Sequence, residues 1–180
     1  FSLSRGLGDV YKRQELFSMS SELGDEASMD ITGLIGQYAH GNEPSHHTTY
    51  MYAYSGEHYK IADKVRYINN ELYTDQPDGL SGNEDCGQMS AWYILSSMGF
   101  YPVNPSNGAY VFGSPLFDEV VLDIPGQKQF KISAKNNSDK NIYIQSVLLN
   151  GEDHKYSYIT HKEILKGGEL EFTMGPKPNK

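Results

Sequence analysis

The stretch "GFYPVNPSNG", Gly99 to Gly108, separates two kinds of hydrophobic pattern. Its two prolines and two glycines forbid a continuous element, and the period of the apolar residues changes across it. Upstream, Ile61, Val65, Ile68 and Leu72 recur at helical spacing, and Met89, Trp92, Leu95 and Met98 repeat it, which predicts two amphipathic helices. Downstream, "AYVFGSP", "EVVLDIP", "QFKISAKN", "NIYIQSVLLNG" and "ELEFTMG" alternate or run in β-branched and aromatic residues, each closed by Gly, Pro or Asn. From Tyr110 to Met174 they are expected to form an antiparallel sandwich with Val120, Leu122, Ile124, Phe130, Ile132, Ile144 and Phe172 on its dry face. The fold class is α+β, with a helical part over 15–100 and a β-sandwich-like part over 101–180.

At 180 residues the chain can build one good core or two small ones, and no apolar run approaches a membrane span. A net charge of −8 argues against nucleic acid, whose phosphates need clustered Lys and Arg. The 14 tyrosines and one tryptophan suit a surface that stacks on neutral, hydroxyl-rich ligands, and they suit core lining equally. Cys86 is the only cysteine, which excludes an intrachain disulfide and a cysteine-based zinc cluster.

The first segment, "FSLSRGLGDVYKRQ", carries three basic residues and one acid, against 22 acids and 12 bases in the remainder. It lacks the pattern of a signal peptide. It resembles the translated sequencing-adapter tail "SRGLGDVYKRQ" found on gene fragments from metagenomic reads. Residues 1–14 are therefore expected to be foreign, with the native sequence resuming at Glu15.

Oxygen-bearing side chains gather at two predicted helix starts. In "GNEPSHHTTYMYAYSG", Pro44 suits the first helical position and would make Glu43 extended, with its carboxylate near the positive helix end. In "GLSGNEDCGQMSAWY", Asp85 and Gln88 have the spacing of a capping box with Asp85 as N-cap. A third helix is expected to begin around Glu57 or His58, and the two acidic mouths could share one cleft. Plainer readings stand beside these. Asp85 as a pure cap, stabilising its helix by roughly 1 kcal/mol, needs no chemistry; Glu84 reads as solvated. "DQPDG" lacks the final Glu of a calcium loop and reads as a β-turn. His46 and His47 adjoin instead of standing four apart, so they form no zinc-binding helix face.

The strings "GLIGQYAHGNEPSHHTTYMYAYSG", "DGLSGNEDCGQMSAWYILSSMGFYPVNPSNGAYVFGSPLFDEV" and "NIYIQSVLLNG" resemble the carboxy-terminal third of glycoside hydrolase family 92, the calcium-dependent exo-acting α-mannosidases. The resemblance implies the last helices of an (α/α)6 barrel followed by the β part, with a partner amino-terminal β-sandwich of the same chain lying upstream. It implies removal of terminal α-linked mannose, for example α-1,2-linked, from N-glycans with inversion, in a bacterial enzyme that is periplasmic, cell-surface or secreted. Asp85 matches the catalytic base. Asn83 stands where some members have aspartate, and with Asp85 it matches the calcium site. Asn42, Glu43 and His46 match the wall of the mannose subsite. The family's general acid is a Glu upstream of the residues present, so the chain alone is expected to be inactive. A carbohydrate-binding or structural β module, with Tyr143, Tyr156 and Tyr158 on one face, is the alternative from another class; a hydrolase of another (α/α) barrel family is a second.

Overall fold

The computed structural model describes residues 11–12, 14–23 and 31–179. Leu3, Leu7 and Val10, whose burial would argue against a foreign tail, lie outside them. A helical stretch at 14–18 (α1) is followed by the hairpin β1 (Leu34–Ile35) and β2 (Tyr38–Ala39). Two 3-10 segments, Glu43–Ser45 and Thr48–Ser55, lead into α2 (Tyr59–Glu71). A 3-10 turn at Asp85–Gly87 then opens α3 (Gln88–Met98).

α2 begins where expected and buries Ile61, Val65 and Ile68 along one stripe. α3 buries Met89, Trp92 and Met98. The helix expected from Pro44 does not form. Asn42, not Glu43, is the extended residue, and the chain beyond it tightens into 3-10 turns that bury Thr49, Tyr50 and Tyr52. A run of His, Thr and Tyr has weak helix propensity, so tertiary burial sets its path.

The presumed break at "GFYPVNPSNG" is a strand. Gly99 (φ 102°) ends α3, taking up the Leu95 and Ser96 carbonyls, and β3 (Phe100–Asn104) follows at once. Pro102 is tolerated inside it because the register with β4 (Ala109–Phe112) shifts between Tyr101 and Asn104, and because β3 is the edge of the sheet β3-β4-β9. The strand β9 is Tyr158–Thr160. This hairpin is a shared wall. Tyr101 and Val111 belong to the helical core with Trp92, Tyr50 and Ile61, whereas Phe100 and Phe112 belong to the β core with Phe130 and Phe172. The two-residue period of a strand puts alternate side chains in the two cores.

The larger sheet has the order β5-β6-β10-β7-β8, with β5 at Glu119–Ile124, β6 at Lys128–Lys135, β7 at Tyr143–Leu149, β8 at Glu152–Asp153 and β10 at Gly168–Gly175. The short helix α4 (His161–Ile164) precedes β10, held by a capping box from Thr160 and Glu163. Phe130, Ile132 and Phe172 are buried as expected, and Val120, Leu122, Ile124 and Ile144 pack partly buried against them. One expectation fails. β10 pairs antiparallel with β7 and parallel with β6, so the sheet is not purely antiparallel. The β6–β7 connection leaves a slot that the last strand fills, and chain order along the sequence does not reveal such an insertion.

α2 binds the β part by polar contacts. The buried Arg66 guanidinium donates to the Ser114 hydroxyl (3.0 Å), the Pro115 carbonyl and the Asn137 side-chain carbonyl. His58 Nε2–H donates to the Phe112 carbonyl (2.8 Å), and the Tyr143 hydroxyl donates to Asp63 (2.6 Å). Arg66→Leu removes the donor and strands buried acceptors, at a cost of about 1–3 kcal/mol for each one left unsatisfied. Urea unfolding of the chain should therefore show a clearly lowered midpoint, and an unchanged midpoint would show that Arg66 does not fasten the two cores.

Candidate active site

The two motif segments meet. The Asp85 backbone N–H lies 3.4 Å from Glu43 Oε1, joining positions 42 residues apart in sequence. Asn42, Asn83 and Asp85 are exposed and Glu43 is half-buried, so the meeting point opens to solvent.

Asp85 is not the cap of α3. It opens the 3-10 turn, Gly87 (φ 79°) precedes the first residue of α3, and no side chain from either position caps the helix. The carboxylate that holds the helix start is Glu84, the residue expected to be merely solvated. It accepts the Ser90 backbone N–H (3.2 Å) and the Ser90 hydroxyl. Those bonds, the hydroxyl's first, hold Glu84 below the usual carboxylate range. Among the described residues no side-chain hydrogen bond or ion pair engages the Asp85 carboxylate. Its backbone is constrained by two consecutive left-handed residues, Cys86 (φ 53°) and Gly87.

His46 lies behind this surface, 1 % exposed. Its Nε2 bonds the His40 carbonyl (2.9 Å), which requires Nε2–H, so Nδ1 accepts from the Gln88 amide (3.1 Å). The same amide nitrogen donates to the Tyr101 hydroxyl (3.0 Å). Both ring nitrogens of His46, expected in the wall of the mannose subsite, are engaged within the protein, so in this structure it supports that wall from within. Gln88, expected in a capping box, instead ties the two motifs together.

His40 completes the support. The Tyr73 hydroxyl donates to the Met89 carbonyl (3.0 Å), so it accepts from His40 Nε2–H (2.8 Å), and the Tyr38 hydroxyl donates to His40 Nδ1 (2.8 Å). The ring stacks on His46 at 4.5 Å and meets the Trp92 edge at 4.5 Å, while the Trp92 indole N–H donates to the His46 carbonyl (3.1 Å). His40, Tyr73, Gln88 and Glu84 were not singled out by sequence as parts of this support, because their importance lies in partners supplied by distant segments.

The oxygens of Asn83 and Asp85 fit a hard cation such as calcium in kind. They fall short of the six to eight ligands it takes, and among the described residues no group of three or more His, Cys, Asp or Glu is placed to hold a metal ion.

A model of the glycosyl hydrolase family 92 catalytic domain matches residues 8–176, beginning inside the tract expected to be foreign. The chain belongs to this family. It is similar to the family 92 α-mannosidase BT3965 from Bacteroides thetaiotaomicron, with 43% identity and a TM-score of 0.86 over 94% of this chain and 22% of that one. The same protein in complex with mannoimidazole matches with a TM-score of 0.88 and 42% identity. The inverting mannosidase BT2199 from that organism matches with 36% identity and a TM-score of 0.81, over 97% of this chain and 25% of that one. An uncharacterized secreted glycosidase of Arthroderma benhamiae is 33% identical over 138 residues, 75% of this chain and 18% of that protein. The chain thus spans about a fifth of the length of these family 92 relatives.

Burial, reinforced by His46, lowers the His40 pKa to about 3. The unfolded chain protonates this ring near 6.5, so its stabilising contribution is complete above that pH and is lost as pH falls toward 3. The urea midpoint should drop between about pH 7 and about pH 5. The His40 ring resonances should stay unshifted over that interval, and a titration near 6.5 would contradict the assigned network.

Proposed function

We propose that the chain is the carboxy-terminal part of the catalytic domain of an exo-acting α-mannosidase that hydrolyses terminal α-linked mannose from N-glycans with inversion. The observation that carries this reading is the release of Asp85 from capping duty. Glu84 holds α3, and Asp85 stands exposed beside Glu43 with a fixed backbone and, among the described residues, no side-chain hydrogen bond or ion pair to its carboxylate. The family relatives described as an α-mannosidase and as an inverting mannosidase support the substrate and the stereochemistry.

In this reading Asp85 removes a proton from water as the water oxygen attacks the anomeric carbon. The bond from that carbon to the glycosidic oxygen breaks, and the departing oxygen takes a proton from a general acid supplied outside this chain. Inversion needs the two carboxyl groups about 6.5–9.5 Å apart, leaving room for the water. Asn42 and Glu43 bind sugar hydroxyls, and His46 with Gln88 keeps Glu43 in register with Asp85. Asn83 and Asp85 would hold calcium as two donors of a larger set, and the ion would grip mannose hydroxyls. Asn83 keeps an oxygen where some members carry a carboxylate, so the base role rests on Asp85. The secreted relative supports export of the whole protein to the periplasm, the cell surface or the medium.

In the full-length protein, Asp85→Asn should lower mannoside hydrolysis by about 10²–10⁴-fold while the circular dichroism spectrum and melting temperature hold. Chelation of calcium should abolish turnover in the unmutated enzyme. Near-normal turnover in folded Asp85→Asn would overturn the base assignment, and indifference to chelation would overturn the metal's part.

A further inference from the structure

The β part carries a groove that the hydrolytic reading does not use. It has a volume of about 520 Å³ and runs between the rim of β7 and the 153–157 segment, with His58 and Phe112 at its inner end. The segment forms an aromatic run. Phe112 and His154 lie 5.8 Å apart, His154 meets Tyr156 edge-on at 5.7 Å, and Tyr156 lies 5.5 Å from Tyr158. The strand period explains the outer end of the run. Ile159 is fully buried in the β core, so its neighbour Tyr158 must point the other way and is 37% exposed. Tyr156 is 63% exposed. His154 is fixed by its Nε2–H, which donates to the Tyr158 carbonyl (2.8 Å). Single exposed aromatics are ordinary on a protein surface, but a contiguous exposed pair anchored by a third ring beside a groove is a platform.

The rest of the lining is polar. The Gln145 amide donates to the Tyr143 and Lys177 carbonyls, and the Asn179 amide donates to the Gln145 carbonyl, which ties the carboxy-terminal tail into the groove wall. Among the described residues no side-chain hydrogen bond or ion pair engages Ser146, Asp153, Lys155 or Ser157. Beside His58 and His154 the lining carries one carboxylate and one ammonium group, so no formal net charge draws in a phosphate or a metal ion. Ring faces beside uncommitted hydroxyl, carboxylate and ammonium groups match a ligand with one apolar face and a rim of hydroxyls. A pyranose ring has that form.

We propose that this groove is a second carbohydrate-binding site, in which a neutral pyranoside stacks on Tyr156, whose ring Tyr158 backs from outside the groove, while Asp153, Lys155 and Ser157 bond its hydroxyls. Of the three tyrosines considered from sequence, Tyr143 drops out, because its hydroxyl is committed to Asp63. The site is independent of Asp85 and would hold a glycan by a residue that is not being cleaved.

Titration of the isotopically labelled 180-residue chain with α-1,2-linked mannobiose, followed by amide shifts, tests this directly. Shifts are expected at 153–158. Tyr156→Phe, which keeps the ring face, should preserve them, and Tyr156→Ala should weaken binding about tenfold. Tyr156 is mostly exposed, so its truncation leaves the fold intact. Shifts confined to the Asp85 turn, unchanged affinity in Tyr156→Ala, or an equal response at Lys155 to inorganic phosphate would each overturn the proposal. None of these outcomes bears on hydrolysis at Asp85, which is measured in the full-length protein.

Discussion

The site depends on one half-buried amide. Gln88 bonds His46 from the "GNEPSH" segment and Tyr101 from the strand after α3, so a single side chain fixes three parts of the chain against one another. His46 can accept from Gln88 only because its other nitrogen is protonated and committed to the His40 carbonyl. His40 in turn holds its tautomer through two tyrosines. All four ring nitrogens of the two histidines have partners, and such networks specify one arrangement where an apolar core would tolerate several. Burial keeps both rings neutral by lowering their pKa values, so the network carries no buried charge to disturb the carboxylates in front of it.

The same logic explains why the β part accompanies the helices. β3 and β4 are lined on one side by the helical core and on the other by the β core, so neither core closes without the hairpin. Arg66 adds a directional fastening. Burial pulls its pKa down, Asp139 and Asp118 push back, and its donors meet two carbonyl oxygens and a hydroxyl. Tyr101 joins both arrangements: it sits in the hairpin and receives the Gln88 amide.

Elements with strong periodicity were legible from the sequence. α2 and α3 lie where the apolar spacing put them, and the β core contains the alternating residues of β6 and β10. What escaped was set by long-range packing. Pro102 reads as a breaker until the register shift beside it is known, and the parallel β6–β10 pair depends on a slot left by a distant connection. At the site, residue types and spacing put Glu43 and Asp85 at the starts of neighbouring turns, which the structure brings together. They misassigned the cap, because Asp85 and Gln88 have capping-box spacing, yet the bonds run from Ser90 to Glu84. The left-handed Cys86 decides the matter: it turns the backbone so that Gly87, not Asp85, precedes the first α-helical residue. No local propensity rule predicts a left-handed cysteine.

The central claim is that Asp85 is the base that activates the attacking water. Azide is a nucleophile that needs no base, so it can replace the activated water when the carboxylate is removed. In the full-length protein carrying Asp85→Ala, hydrolysis of an α-mannoside should be nearly lost, and added azide should restore cleavage with β-mannosyl azide as the product. The absence of rescue in a folded variant, or an α-configured azide, would contradict the account.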